Sequence, residues 1–134
     1  MIQSSPSVMQ RNLRHHLRIP TDFVAHITTR DQRECDAAIH NISRTGLMLE
    51  CDRCILETLT PNALNFAPLR PVCINIRFTL PLIKKEVVEV ETEMLVIYTR
   101  RLARNAFHVG LQFKELTPEQ TRQLEQYIAE NKLR

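Results

Sequence analysis

The chain has 134 residues, 43% of them hydrophobic, and a formal net charge of +3 at neutral pH. That is the length of one domain, able to bury a core without disulfide staples and too apolar for wholesale disorder. Aromatics make up only 5% and Trp is absent, which argues against stacked-aromatic binding of nucleic-acid strands, and the mild basicity falls short of a dedicated DNA binder.

Residues 1–10 read as a disordered tail, polar and rich in Ser. They lack the apolar centre of a signal peptide, and no later run approaches a membrane span. The expectation is a cytoplasmic protein without membrane insertion, whose cysteines stay reduced. Residues 11–20 form a basic linker closed by Ile19-Pro20, where the proline biases Ile19 to an extended conformation. From residue 21 onward the pattern is that of a barrel. Asp22–Thr29 alternates as a strand, with Phe23, Ala25 and Ile27 on one side. Cys35–His40 is a second strand, Asn41–Gly46 a turn, and Leu47–Cys51 a third strand. Pairing across that turn would aim Asn41 and Ser43 outward.

Glu57–Pro71 reads as a long connection folded over the barrel end, with one helical turn near Pro61–Asn65. Val72–Leu80 is the fourth strand, and Val72, Ile74, Ile76 and Phe78 share its inner face. In Glu86–Thr99, Glu89, Glu91 and Glu93 alternate with Val88, Val90, Thr92 and Met94, giving one wet and one dry face. Past Met94 both faces are apolar, so that end is expected to be covered. Arg100–Asn105 is a hairpin turn and Ala106–Phe113 the last strand. Thr117-Pro118-Glu119-Gln120 then gives a helix cap, a proline at the first helical position and a glutamine at the third. Leu124, Tyr127 and Ile128 follow as an apolar stripe at helical spacing. Short strands followed by one helix predict an all-β domain with a C-terminal helix, a small antiparallel barrel carrying the helix outside.

Two stretches carry the candidate chemistry. In Arg14-His15-His16-Leu17-Arg18 two guanidinium groups stand four residues apart. Each is a planar fork of donors that suits a phosphate or the O6/N7 edge of guanine. In Asn41-Ile42-Ser43-Arg44-Thr45-Gly46, Asn and Ser supply short donors and acceptors, and Gly permits positive φ or close approach of another group. Together they suggest a pocket for an anionic guanine nucleotide. The pair resembles the PilZ domain family, whose signature is Arg-x-x-x-Arg followed downstream by Asp/Asn-x-Ser-x-x-Gly. Gly110-Leu111-Gln112-Phe113 resembles the family's late Gly-x-x-Phe strand.

The resemblance implies a six-stranded antiparallel β-barrel with a C-terminal helix, and cyclic di-GMP as ligand. It places Arg14 and Arg18 on guanine edges and phosphates, and Asn41, Ser43 and Gly46 around a guanine base and the nearby phosphate. Arg44, inside the turn, is a further candidate contact. Leu13 stands where some members carry another Arg that helps hold a second ligand molecule, which favours one ligand per protomer. The implied role is a receptor whose arginine linker becomes ordered on binding and which signals to a protein partner in motility, biofilm, exopolysaccharide or virulence pathways. A nucleotide-independent interaction adaptor of the same fold is the alternative, and a basic nucleic-acid-binding barrel the third reading.

No catalytic residue, cofactor or metal is expected. The sequence has no Gly-rich phosphate loop, no His-Glu-x-x-His and no nucleophile elbow. His15-His16 and the isolated Cys51-Asp52-Arg53-Cys54 each fall short of the three or four converging ligands that zinc needs. Cys35 and Cys73 are expected as small buried hydrophobes, and His40 and His108 have no nucleophile to serve.

Overall fold

The computed structural model describes residues 17–60, 72–83 and 87–132. Their strands are β1 (Ile19–Pro20), β2 (Val24–Thr28), β3 (Glu34–Ile42), β4 (Gly46–Cys51), β5 (Val72–Leu80), β6 (Val88–Ala103) and β7 (Ala106–Phe113). The helices are α1 (Arg53–Leu59) and α2 (Pro118–Asn131). Strands β2 to β7 form the expected six-stranded antiparallel barrel, in the cyclic order β2, β5, β6, β7, β4, β3, with β3 returning to β2. Closure leaves these strands no open sheet edge. The two-residue β1 adds to β3 beyond the end of β2, pairing Ile19 with Ile42 and Pro20 with Asn41. The barrel therefore takes up the last two residues of the basic segment that sequence reading assigned to a linker, because Ile19 is apolar and buries against the core.

Strand alternation fills the interior. Ala25, Ile27, Ile39, Leu49, Ile76, Met94 and Val109 are buried, while Glu89, Glu91 and Glu93 face water from β6. Helix α2 lies outside, with Leu124, Tyr127 and Ile128 turned inward and Tyr127 meeting Phe23 edge-on at 5.5 Å. Its start is the expected reciprocal cap: Thr117 Oγ1 accepts from the Gln120 N–H and Gln120 Oε1 accepts from the Thr117 N–H, both at 3.0 Å.

Five expectations need correction. Residues 53–59 are helix α1, so Glu57–Leu59, read as the start of a long connection, belong to a helix. Asp52 caps it by accepting the Ile55 N–H at 2.9 Å, and Leu56 and Leu59 enter the core, each burial stabilising by about 1.5–3 kcal/mol. The helical turn proposed near Pro61–Asn65 lies outside the described residues. Strand β3 runs through Ile42, so Asn41 is a strand residue. Strand β6 continues to Ala103, because Arg100, Arg101 and Ala103 still pair with His108, Phe107 and Ala106. Beyond Met94 its outer side is open: Ile97 and Tyr98 are 46% and 38% exposed, next to a register shift between Val96 and Tyr98. Cys51 is buried, whereas Cys35 and Cys73 are only half-buried.

Candidate functional site

The turn joining β3 to β4 is held from within. Ser43 is 0% exposed, so it does not point outward as the sequence suggested. Its N–H donates to the Gly46 carbonyl at 2.8 Å. Its Oγ donates to the same carbonyl and accepts from the Thr45 N–H, both at 3.3 Å. A short hydroxyl inside a tight turn satisfies backbone groups that the ladder leaves over, which is the local reason for Ser here. No glycine has positive φ. Gly46 is required by close approach: a Cβ there would lie 2.0 Å from the Leu111 carbonyl oxygen across the β4–β7 pair.

Asn41 projects from the outer face of β3, half-buried. Arg18 Nη1 donates to its Oδ1 at 2.8 Å, across 23 residues of sequence. The register of β1 against β3 sets this meeting, since Pro20 pairs with Asn41 and carries Arg18 past the strand end. Asn41 Nδ2 points to Met48 Sδ at 4.0 Å. The structure thus joins Arg18, Asn41, Ser43 and Gly46 around one corner. Arg14 lies outside the described residues. Arg44 leaves the corner for α2, where Nη2 pairs with Glu125 Oε2 at 3.0 Å on the surface.

Sequence reading did not single out two residues of the same outer surface, Met48 and Tyr98. Pairing aligns Asn41 with Met48, Met48 with Gly110 and Gly110 with Tyr98. The Tyr98 ring lies so close over Gly110 that a Cβ there would meet it at 2.4 Å. The resulting row, Asn41, Met48, Gly110 and Tyr98, crosses four strands as a shallow, partly apolar platform beside the arginine corner. Only the strand register brings these four residues together, and no local motif marks Met48 or Tyr98. The chemistry on offer is guanidinium and amide hydrogen bonding next to a flat surface. Among the described residues of this corner no nucleophile has a base beside it.

A family model described as PilZ domain matches residues 12–130. A search of curated proteins found no match. Solved structures with a similar fold include the Bacillus subtilis inhibitor of motility MotI/DgrA, at 16% identity and TM-score 0.67, covering 88% of this chain and 50% of that one. K. pneumonia MrkH in complex with c-di-GMP is 16% identical with TM-score 0.63, covering 88% of this chain and 52% of that one. The PilZ domain of Escherichia coli YcgR with c-di-GMP is 16% identical with TM-score 0.56, covering 88% of this chain and 90% of that one. The chain therefore spans about half the length of the first two.

Proposed function

The chain belongs to the PilZ domain family, and on that premise we propose that it is a receptor for cyclic di-GMP. The observation that carries the reading is the Arg18–Asn41 hydrogen bond of 2.8 Å, because it brings the two halves of the signature to one corner of the barrel. Two of the similar structures, MrkH and the YcgR domain, hold c-di-GMP, which supports the same ligand here. Arg14 and Arg18 supply forks for phosphate oxygens and guanine edges. Asn41 supplies an amide for a base edge, and the Ser43–Gly46 turn a rigid backbone wall. Charge-assisted hydrogen bonds contribute about 1.5–3 kcal/mol each. Three of them, with contact against the Met48–Tyr98 platform, reach the roughly −8 kcal/mol of micromolar binding.

Arg18 already rests on the barrel corner; binding orders the segment carrying Arg14 against the same corner, and a protein partner reads the altered surface. Among the described residues no helix is long and apolar enough to cross a membrane, and we place the receptor in the cytoplasm. It acts as a switch and not as an enzyme. Calorimetric titration with cyclic di-GMP tests the proposal. The expected result is saturable binding of one ligand per chain that weakens at least about tenfold, 1.4 kcal/mol, in Arg18→Ala or Arg14→Ala. Absence of binding would favour the nucleotide-independent adaptor. Affinity that collapses with salt and shows no preference for guanine would favour the nucleic-acid reading.

A further inference from the structure

We propose that His40, Glu50 and His108 form a binding site for a divalent transition-metal ion, with zinc the ion the donor set suits best. The three side chains come from β3, β4 and β7 and stand on the outer wall of the barrel. Glu50 pairs with His108 across the β4–β7 ladder. His40 sits at the register shift between Ile39 and Asn41, which brings it alongside them. One ligand atom from each residue lies within 4.8 Å of the other two.

The spacing fits a metal. Glu50 Oε1 is 3.3 Å from His40 Nδ1 and 3.5 Å from His108 Nε2. Bonds of about 2.0–2.1 Å in a tetrahedral zinc site give ligand-to-ligand edges of about 3.3–3.4 Å. The two imidazole rings lie face to tilted face, with centroids 4.7 Å apart. His40 and Glu50 are half exposed, so both can adjust around an ion, and solvent can fill the fourth position.

The second observation is His108 itself. It is 7% exposed, and its Nε2 is buried without a hydrogen-bond partner. The neighbouring Glu50 oxygen stands 3.5 Å away and does not complete a hydrogen bond. Leaving a buried polar nitrogen unmatched is unfavourable. A simple His–Glu ion pair accounts for Glu50 and His40 but not for this nitrogen, whereas a metal ligated at Nε2 accounts for all three.

Coordination at Nε2 requires the proton of His108 on Nδ1. At present Arg100 Nη2 stands 3.4 Å from Nδ1, and a guanidinium only donates. Arg100 is exposed and must swing away when the ion enters. It therefore opposes binding, and an acceptor in its place would hold the Nδ1 proton and strengthen the site.

The test is calorimetric titration of chelator-treated full chain with zinc ion, repeated with cobalt(II) to read the visible absorption of a low-coordinate site. One ion per chain is expected. His40→Ala and Glu50→Gln, both at half-exposed positions, should each weaken zinc at least about tenfold, and Arg100→Gln should tighten it by about tenfold, the lower end of what outer partners of metal ligands contribute. The His15→Ala/His16→Ala double variant and Cys54→Ser should bind as the parent does. Unchanged zinc affinity in His40→Ala and Glu50→Gln would overturn the proposal, as would loss of binding in either control. No gain in Arg100→Gln would overturn the assignment of Nε2 as the ligand atom.

Discussion

Two glycines on facing strands should respond unequally to the same methyl group. In Gly46→Ala the new Cβ falls 2.0 Å from the Leu111 carbonyl oxygen and 3.1 Å from the Gln112 Cα, both backbone atoms. Backbone in a closed ladder cannot turn aside, so β4 and β7 must part by more than an ångström to restore ordinary contact. That movement strains the Ser43 N–H to Gly46 bond of 2.8 Å and the Phe113 N–H to Thr45 bond of 2.9 Å. Overpacking costs about 1–3 kcal/mol, and each hydrogen bond lost adds about 0.5–1.5 kcal/mol. The expected loss is about 3 kcal/mol, a large share of the 5–15 kcal/mol typical of a domain. In Gly110→Ala the obstacle is the Tyr98 ring at 2.4 Å. That ring is 38% exposed and can rotate into solvent, so the cost should stay below about 1 kcal/mol, set by lost ring contact. Urea denaturation of both variants reads the difference directly. At roughly 3–5 °C per kcal/mol for this chain length, thermal midpoints should fall by about 10 °C for Gly46→Ala and by under about 5 °C for Gly110→Ala. Equal losses in the two variants, or a Gly46→Ala protein as stable as the parent, would refute the reasoning.

His26 and the cysteines provide two further expectations. Hydrogen bonds that the ring N–H groups donate to Asp36 and then Glu34, each carboxylate 2.8 Å from a ring nitrogen, hold the His26 imidazole above its usual pKa. The charged ring's contribution to stability is therefore complete below the ordinary histidine value and is lost as pH rises through the elevated folded one. An NMR titration should show a raised His26 midpoint that falls in Asp36→Asn; a midpoint unmoved by that change would contradict the assignment. Burial pushes the Cys51 thiol up to about 12, leaving only about one thiolate in ten thousand at pH 8. Iodoacetamide on the native protein should label exposed Cys54 first and Cys51 only after denaturation, and mass spectrometry that finds Cys51 labelled as fast would count against its place in the core.

Periodicity made most of the barrel legible, because a half-buried strand must alternate. Glu89, Glu91 and Glu93 declared the outside of β6, and the Thr117–Gln120 cap declared the start of α2. Helix α1 was missed because seven residues give barely two turns of pattern, and its first turn overlaps the Cys51–Cys54 spacing, which drew attention to metal or redox chemistry. The reach of β6 was underestimated because Arg100 and Arg101 look like turn residues, although they still pair with His108 and Phe107 of β7. At the candidate site the motifs marked Arg18, Asn41, Ser43 and Gly46, but not which way they point. Ser43 turns inward because the backbone of its own turn competes for the hydroxyl. His40, Glu50 and His108 are separated by up to 68 residues of sequence and become neighbours only through the β3–β4–β7 register, one bulge included.

The Arg18–Asn41 contact also constrains how a receptor of this design would work. Both side chains meet at the surface, where such a hydrogen bond contributes little, of order 1 kcal/mol or less. A ligand that takes over both partners therefore sacrifices little, while it gains a guanidinium already poised over the corner. Under the proposed function Arg14 adds guanidinium contacts of its own to the ligand. Removing Arg14 should then lower affinity without disturbing the barrel, whereas removing Asn41 should lower affinity and also release Arg18 from its resting place. A double-mutant cycle on Arg18 and Asn41, read by cyclic di-GMP titration, separates these effects. Coupling in the bound state larger than the free-state hydrogen bond would mean that the ligand bridges the pair, and strict additivity would mean that it does not.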